Sequence, residues 1–216
     1  MDGAAAQPPA HIRLREHTRA AHEAAEATAG MHALMSGAMD EAGYHTLLAA
    51  QLNLFRAWEA ERAADIAAVA GIWPYPSRVP PLEADLPVGA RLRATSFAST
   101  QRPPGSVAKD VAHRVGSHNM DTAGHPGRAA FWGELYVIEG STLGGRVIVR
   151  HLRSRFPTLS HRFYAMGEQA PGDWRRFQRV LDDALADDAR QQIAIDGAQQ
   201  MFARFQRTLQ DPGHHV

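Results

Sequence analysis

The sequence predicts an all-α fold in a single domain. Apolar residues recur three to five positions apart in several stretches, as they do on the buried side of an α-helix. No stretch shows the sustained alternation of apolar and polar residues that marks a half-buried strand, and no internal repeat is present. A length of 216 residues is enough for one compact domain with a core and a ligand pocket. We therefore expect a single-domain bundle of several helices.

Composition argues against several functional classes. Lys plus Arg and Asp plus Glu both number 23, so no excess of charge favours nucleic acid or an anionic membrane as a partner. The chain has no cysteine, which excludes disulfides, thiolate ligands and a cysteine nucleophile. Residues 1–10 lack the basic and apolar regions of a signal peptide, and no run of 18 apolar residues occurs. These features predict a cytoplasmic protein that binds neither nucleic acid nor membrane.

Proline, glycine and the apolar repeats predict the order of the segments. Asp40 is the expected N-cap of a helix. The buried side of that helix is predicted to comprise Tyr44, Leu47, Leu48, Leu52, Phe55 and Trp58. In chain order we expect a disordered N-terminus (1–10), a first helix (11–29, closed by Gly30), the Asp40 helix and a rigid proline-rich connector (71–81). A weakly helical stretch (82–100) and an irregular connection (101–127) should follow. The last part is expected to contain a glycine-containing helix (131–152), one or two short helices (162–167 and 171–186), a last helix (188–209) and a tail (211–216). The helical domain itself is expected to span residues 11–210.

The most unusual segment is residues 131–152, FWGELYVIEGSTLGGRVIVRHL. It has the apolar repeat of a helix, yet it contains Gly133, Gly140, Gly144 and Gly145. Each interior glycine costs a helix roughly 1 kcal/mol relative to alanine, so some use of the missing side chains is expected. Gly133, Gly140 and Gly144 are seven and four residues apart, which places them on one face. Such a face has two possible uses, since either a flat ligand or a neighbouring helix can approach it closely. A simple kink of the helix would also explain the glycines, and the pattern alone leaves these alternatives open.

The first predicted helix carries a stripe of polar residues. Arg15, Arg19, His22 and Glu26 are spaced by four, three and four, so they share one face. A carboxylate one turn after a histidine can accept a hydrogen bond from one ring nitrogen and leave the other free for a metal. The two arginines are suited to bind carboxylates of the same ligand. A solvent-exposed Arg/Glu ladder would give the same pattern.

Together these helices resemble those of the haem oxygenases. LREHTRAAHEAAE (14–26) is similar to the proximal helix of that family. LYVIEGSTLGG (135–145) is similar to its distal helix, particularly in the bacterial branch associated with phytochromes, and GAQQMFARF (197–205) is similar to its last helix. The three matches occur in family order and span essentially the whole chain. The resemblance implies a helical bundle in which haem lies between a proximal and a distal helix.

On the proximal side, the resemblance implies roles for five residues. His22 falls on the position of the haem-iron ligand, and Glu26 on the acidic residue that hydrogen-bonds this ligand. Arg15 and Arg19 fall on basic positions that pair with the haem propionates. Arg179 matches a further propionate partner in a region where the similarity is looser.

On the distal side, the resemblance assigns catalytic positions to Gly140, Ser141 and Gly144. The two glycines match those whose backbone lies against the haem and admits oxygen. Animal members have an aspartate where this chain has Ser141. A hydroxyl can still hold a water molecule but supplies no carboxylate, so the distal network must differ. The family has a tyrosine that reaches the haem edge, and Tyr136 lies one position away from it in the sequence.

The activity implied by the resemblance is oxidative cleavage of haem to biliverdin, CO and Fe²⁺ with O₂. Haem is then both substrate and cofactor. The electrons are expected from an external reductase or ferredoxin, because the sequence contains no GxGxxG dinucleotide fingerprint. The resemblance to the phytochrome-associated branch suggests bilin supply as the purpose, with a bacteriophytochrome as bilin acceptor.

Two alternatives come from other functional classes. A non-catalytic haem-binding sensor or carrier would have the same fold and slot. This alternative stays open because Ser141 supplies no distal carboxylate. A thiamin-degrading enzyme or a di-iron carboxylate bundle would share the helical architecture. These need a cysteine nucleophile or paired Glu-x-x-His motifs, and the sequence has neither.

Overall fold

The computed structural model describes residues 8–90, 126–168 and 172–210, and within these ranges the chain is helical with no strand. The helices that build the core and the site are, in chain order, α1 (Ala10–Glu26), α2 (Ala29–Ser36), α3 (Glu41–Glu61), α4 (Ala63–Val69), α5 (Val79–Asp85), α6 (Pro126–Arg155), α7 (Arg162–Ala165), α8 (Asp173–Ala184) and α9 (Asp188–Gln210), with a 3₁₀ turn at Met166–Glu168. The predicted all-α fold is confirmed. The expectations for residues 1–7, 91–125 and 211–216 lie outside the described residues.

Helix α9 lies along α6 at very short range, because glycines on both helices remove the side chains at the crossing. A Cβ built on Gly133 would lie 1.8 Å from the carbonyl oxygen of Ala194. A Cβ built on Gly197 would lie 2.3 Å from the carbonyl oxygen of Ala130. Neither position can accept a side chain without separating the helices. Gly133 therefore serves helix packing, the second of the two uses that the sequence left open.

Helix α1 packs along another part of α9. The side-chain amides of Gln199 and Gln206 donate to the carbonyl oxygens of His17 (3.3 Å) and Ala21 (2.9 Å). Helices α1 and α6 thus both pack on α9, but they make almost no direct contact with each other. The consequence is a slot between them.

Helix α3 forms as the sequence predicts. The carboxylate of Asp40 accepts a hydrogen bond from the backbone N–H of Gly43 at 2.8 Å, which is an N-cap typically worth about 1 kcal/mol. The six side chains predicted for its inner face are all buried, namely Tyr44, Leu47, Leu48, Leu52, Phe55 and Trp58. The predicted last helix is also present, as α9.

Two buried carboxylates fix α6 against the elements around it. Glu134 accepts hydrogen bonds from Trp58 Nε1 and Arg62 Nε, both at 2.8 Å. Glu139 accepts from the Arg78 guanidinium at 2.9 Å, and both of these side chains are almost fully buried. Because buried charges are tolerated only when paired, these contacts constrain where α6 can lie.

Two predicted boundaries were wrong. Gly30 does not close the first helix, because α1 ends at Glu26 and Gly30 lies inside α2, where a Cβ would be 2.2 Å from the carbonyl oxygen of Leu209. The proline-rich connector also ends earlier than predicted, since α5 begins at Val79 and accommodates prolines in its first turn, where no N–H is needed. Within the described ranges, none of the helices combines the length and apolar character needed to cross a membrane.

Candidate functional site

A cavity of about 700 Å³ occupies the slot between α1 and α6. One face of α1 and one face of α6 form its two long walls. Helices α8 and α9 close it on further sides, and Gln51, Arg78 and the α7 region contribute to the wall around α6. The two helices singled out by the sequence therefore face each other across one cavity.

The α1 wall carries the whole polar stripe predicted from the sequence. Arg15, Arg19, His22 and Glu26 all line the cavity. His22 Nδ1 lies 3.7 Å from a carboxylate oxygen of Glu26, which is within ion-pair range but too long for a hydrogen bond. Phe202 of α9 packs against the His22 ring with the centroids 5.8 Å apart. The imidazole is thus oriented with Nδ1 towards Glu26, and its side chain is 58% exposed.

The α6 wall contains Gly140, Ser141 and Gly144, and the two glycines have different surroundings. A Cβ built on Gly144 would meet no neighbouring atom within 4 Å, so open space lies in front of the backbone there. A Cβ on Gly140 would lie 3.3 Å from the outer ring edge of Trp174. The hydroxyl of Ser141 donates to the carbonyl oxygen of Ile138 at 2.7 Å, which leaves its lone pairs to accept.

The cavity is also bordered by polar groups that were not predicted from the sequence. Gln51 Nε2 donates to the Tyr164 hydroxyl at 2.7 Å, and burial raises the pKa of Tyr164 to about 12. The phenol therefore stays neutral at physiological pH and can donate its own proton. Arg78, held by Glu139, also reaches the cavity lining. No local pattern indicates these residues, because they come from α3, α7 and the connector and meet only in the folded chain.

The resemblance implies Tyr136 at the haem edge and Arg179 beside the propionates, and of these two only Tyr136 lines the cavity. Tyr136 lines the cavity, and burial raises the pKa of its hydroxyl while the charge of Arg15 nearby opposes that shift. Arg179 is exposed and is not among the residues that line the cavity, whereas its neighbour Gln178 and also Trp174 are. No pattern in the sequence indicates either of these two α8 residues.

A second histidine, His11, also borders the cavity. Its Nδ1 lies 2.7 Å from a carboxylate oxygen of Asp182, and its backbone N–H donates to the same carboxylate at 2.9 Å. These bonds tie the start of α1 to α8. Along α1 the cavity thus runs from His11 and Arg15 to an apolar end formed by Met31, Phe205 and Leu209.

The described residues offer no multidentate metal site. Across residues 8–90, 126–168 and 172–210, no three His, Asp or Glu side chains come close enough together to hold an ion. A di-iron carboxylate centre needs such a cluster, whereas a haem iron needs only one protein ligand.

The comparison with known proteins decides the family. The sequence model described as Heme oxygenase matches residues 9–211. The chain belongs to the heme oxygenase family. A curated heme oxygenase from Xanthomonas campestris pv. campestris is 37% identical over 183 residues, covering 83% of this chain and 96% of that protein.

Solved structures agree on the fold. A heme oxygenase from Leptospira interrogans superposes with a TM-score of 0.63 at 17% identity, covering 94% of this chain and 100% of that one. Heme oxygenase-1 from Synechocystis sp. PCC6803, solved in complex with heme, superposes with a TM-score of 0.62 at 15% identity over 96% of this chain and 93% of that one. The family and its activity, haem degradation by an oxidoreductase, are those expected from the two helices.

Proposed function

We propose that the cavity between α1 and α6 binds haem, with His22 as the iron ligand, and that the chain cleaves this haem to biliverdin, CO and Fe²⁺. The observation that supports this most is the asymmetry of the two walls. One wall presents an imidazole beside a carboxylate, and the facing wall presents backbone with open space in front of Gly144. A planar ligand that needs one nitrogen ligand and close access to its other face fits such a slot.

The residues present fit a haem by size and by donor type. A volume of about 700 Å³ lies within the range typical of cofactor sites. The side chain of His22 lines the cavity and is more than half exposed, so its ring is accessible. Apolar residues at one end and arginines at the other match a ligand with an apolar body and two carboxylates.

On the proximal wall, His22 would bind iron through Nε2, because Nδ1 is directed at Glu26. A small rotation of either side chain closes the 3.7 Å separation to a hydrogen bond, which fixes the tautomer and increases the basicity of the ligand. Arg15, Arg19 and Tyr136 would bind the propionates. Arg179 would join them only by reaching round the exposed side of α8.

On the distal wall, haem supplies the iron chemistry, and the chain supplies space and polar groups. Gly144 keeps a side chain out of the space where oxygen must enter. Ser141 offers acceptor lone pairs for a water molecule, since its own proton is bound to Ile138. The neutral phenol of Tyr164 and the amide of Gln51 are donors near this wall. A hydrogen-bonded water network of this kind takes the place of the carboxylate that Ser141 lacks.

The electrons would come from an external reductase or ferredoxin, a proposal supported by the absence of a dinucleotide fingerprint from the 216 residues. Biliverdin supplied to a bacteriophytochrome is the proposed purpose. Its support is the similarity of LYVIEGSTLGG to the phytochrome-associated bacterial branch.

Single-turnover spectroscopy tests the proposal. Purified protein is titrated with haem, then supplied with ascorbate or with NADPH and a reductase, while the Soret band and bilin absorbance are followed. We expect the Soret band to decay as bilin absorbance appears, with one CO released per haem. A stable haem complex that never yields bilin would instead identify a haem sensor or carrier, and no haem complex at all would refute the assignment of the cavity.

A further inference from the structure

Helix α8 spans the slot from one wall to the other. Near its C-terminal end, Asp182 holds His11 of α1 through two hydrogen bonds of 2.7 and 2.9 Å. Near its N-terminal end, Trp174 lies against Gly140 of α6. Trp174, Gln178 and Asp182 are spaced by four, so they form one stripe along a single face of α8. This stripe closes the end of the slot where Arg15 and Tyr136 lie.

Trp174 is the largest and most rigid part of this end wall. Its ring lies 5.5 Å from the Tyr136 ring and 5.8 Å from the Phe177 ring, centroid to centroid. Its outer edge occupies the space that a side chain at Gly140 would fill, with Cη2 3.3 Å from the position of a Cβ. The indole is therefore packed against two other rings, and Trp174 also lines the cavity.

This position matters because the proposed substrate has four similar edges. The four meso carbons of haem differ only in the substituents beside them, so the rotation of the ring about the iron–ligand axis decides which one faces the distal residues. A large rigid side chain beside Gly140 excludes the rotations that would bring a substituent into that corner. Size discrimination of one methylene or more by a pocket wall is typically worth 10–200-fold.

We propose that Trp174 is a specificity-determining residue that fixes the in-plane seating of haem and so selects the meso carbon that is oxidised. The inference rests on the proposed haem site. Gln178, one turn along the same stripe, lines the cavity with a polar side chain and contributes less than Trp174 to the choice of meso carbon. Asp182 and His11 act as positioning residues, because they hold the far end of α8 against α1.

The test combines a product assay with a readout that needs no turnover. The wild-type protein, Trp174→Ala and Trp174→Phe are loaded with haem and cyanide, and proton NMR of the paramagnetic haem methyls reports how many in-plane seatings are populated. The biliverdin isomers formed with ascorbate are then separated chromatographically. Trp132→Phe is the matched control, because this buried tryptophan also packs near Phe177 but is not part of the cavity lining.

We expect one predominant seating and one predominant isomer for wild type and for Trp132→Phe. In Trp174→Ala the share of minor seatings and minor isomers should rise about tenfold or more, with a smaller rise in Trp174→Phe. If Trp174→Ala proves too unstable, the Phe variant alone decides the matter. Unchanged seating and isomer ratio in the folded variants, or a mixture already present in wild type, would overturn the inference. Failure to form any bilin would refute the proposed function instead, while the NMR spectra would still decide whether Trp174 sets the seating.

Discussion

The opposite effects expected from two glycine substitutions on α6 follow directly from the structure. Gly144 lies in the helix interior, and a Cβ placed there would meet no other atom within 4 Å. Alanine is favoured over glycine at such a position by up to about 1 kcal/mol. Gly144→Ala should therefore stabilise the ligand-free protein and raise its Tm by about 2–4 °C for a chain of this size. The same methyl group projects towards the slot, so haem should bind less closely and turnover should fall about tenfold or more.

Urea unfolding of the ligand-free protein, haem titration and single-turnover rates measure the two effects separately. Gly133→Ala is the control on the same helix, since its Cβ would lie 1.8 Å from the carbonyl oxygen of Ala194. It should destabilise the protein by about 1–3 kcal/mol or more through forced separation of α6 and α9. If Gly144→Ala destabilised the fold, or left haem binding and turnover unchanged, Gly144 would not face the ligand and the geometry of the distal wall would be wrong.

Three further outcomes are expected. Glu134→Ala leaves Trp58 Nε1 and part of the Arg62 guanidinium without an acceptor, while Arg62 keeps Asp65 at 3.5 Å. The free energy of unfolding should fall by about 1–3 kcal/mol in urea titrations, and no measurable loss would mean that the pair does not stabilise the fold. Burial raises the pKa of Tyr164 from 10.0 to about 12. Its contribution to stability is therefore complete below pH 10 and is lost as the pH rises from 10 to 12. Tyr164→Phe should flatten this part of the stability–pH profile, and an unchanged slope would contradict the assignment. Glu26→Gln should preserve ligation by His22 but weaken haem affinity or turnover by roughly 10–100-fold, and full activity would show that the carboxylate does not support the ligand.

The parts of the molecule that were predicted from the sequence are those with a local periodic pattern. The spacing of Arg15, Arg19, His22 and Glu26 was sufficient to place them on one face, and the structure shows that this face lines the cavity. The inner face of α3 and the N-cap at Asp40 were likewise predicted, because apolar periodicity and capping chemistry act within one helix.

The parts that were missed depend on neighbours far away in sequence. A glycine in the sequence shows where a side chain is absent, but not which group lies in front of it. The backbone of α9 lies in front of Gly133, the indole of Trp174 in front of Gly140, and the open cavity in front of Gly144. For the same reason the sequence predicts a helix end at Gly30, although this glycine lies inside α2 and allows the backbone of Leu209 to approach. Trp174, Gln178, Gln51 and Arg78 reach the cavity only through tertiary packing, which no local spacing encodes.

The identity of the iron ligand is the central claim, and two histidines beside carboxylates border the cavity. His22 lies beside Glu26 at 3.7 Å, and His11 is bound to Asp182 at 2.7 Å. They are eleven residues apart on α1, about 16 Å along the helix axis, so they cannot both sit beneath the same iron. Substituting each in turn separates them, and His17→Ala serves as a control on the same helix because His17 is exposed and outside the cavity lining.

The most direct measurement is the absorption and resonance Raman spectrum of the haem complexes of His22→Ala, His11→Ala and His17→Ala. The account predicts that His22→Ala alone loses the iron–imidazole signature and most of its turnover, and that added imidazole restores both. If the ferric and ferrous spectra of His22→Ala matched those of wild type, or if His11→Ala lost the signature instead, the assignment of the proximal wall would be contradicted.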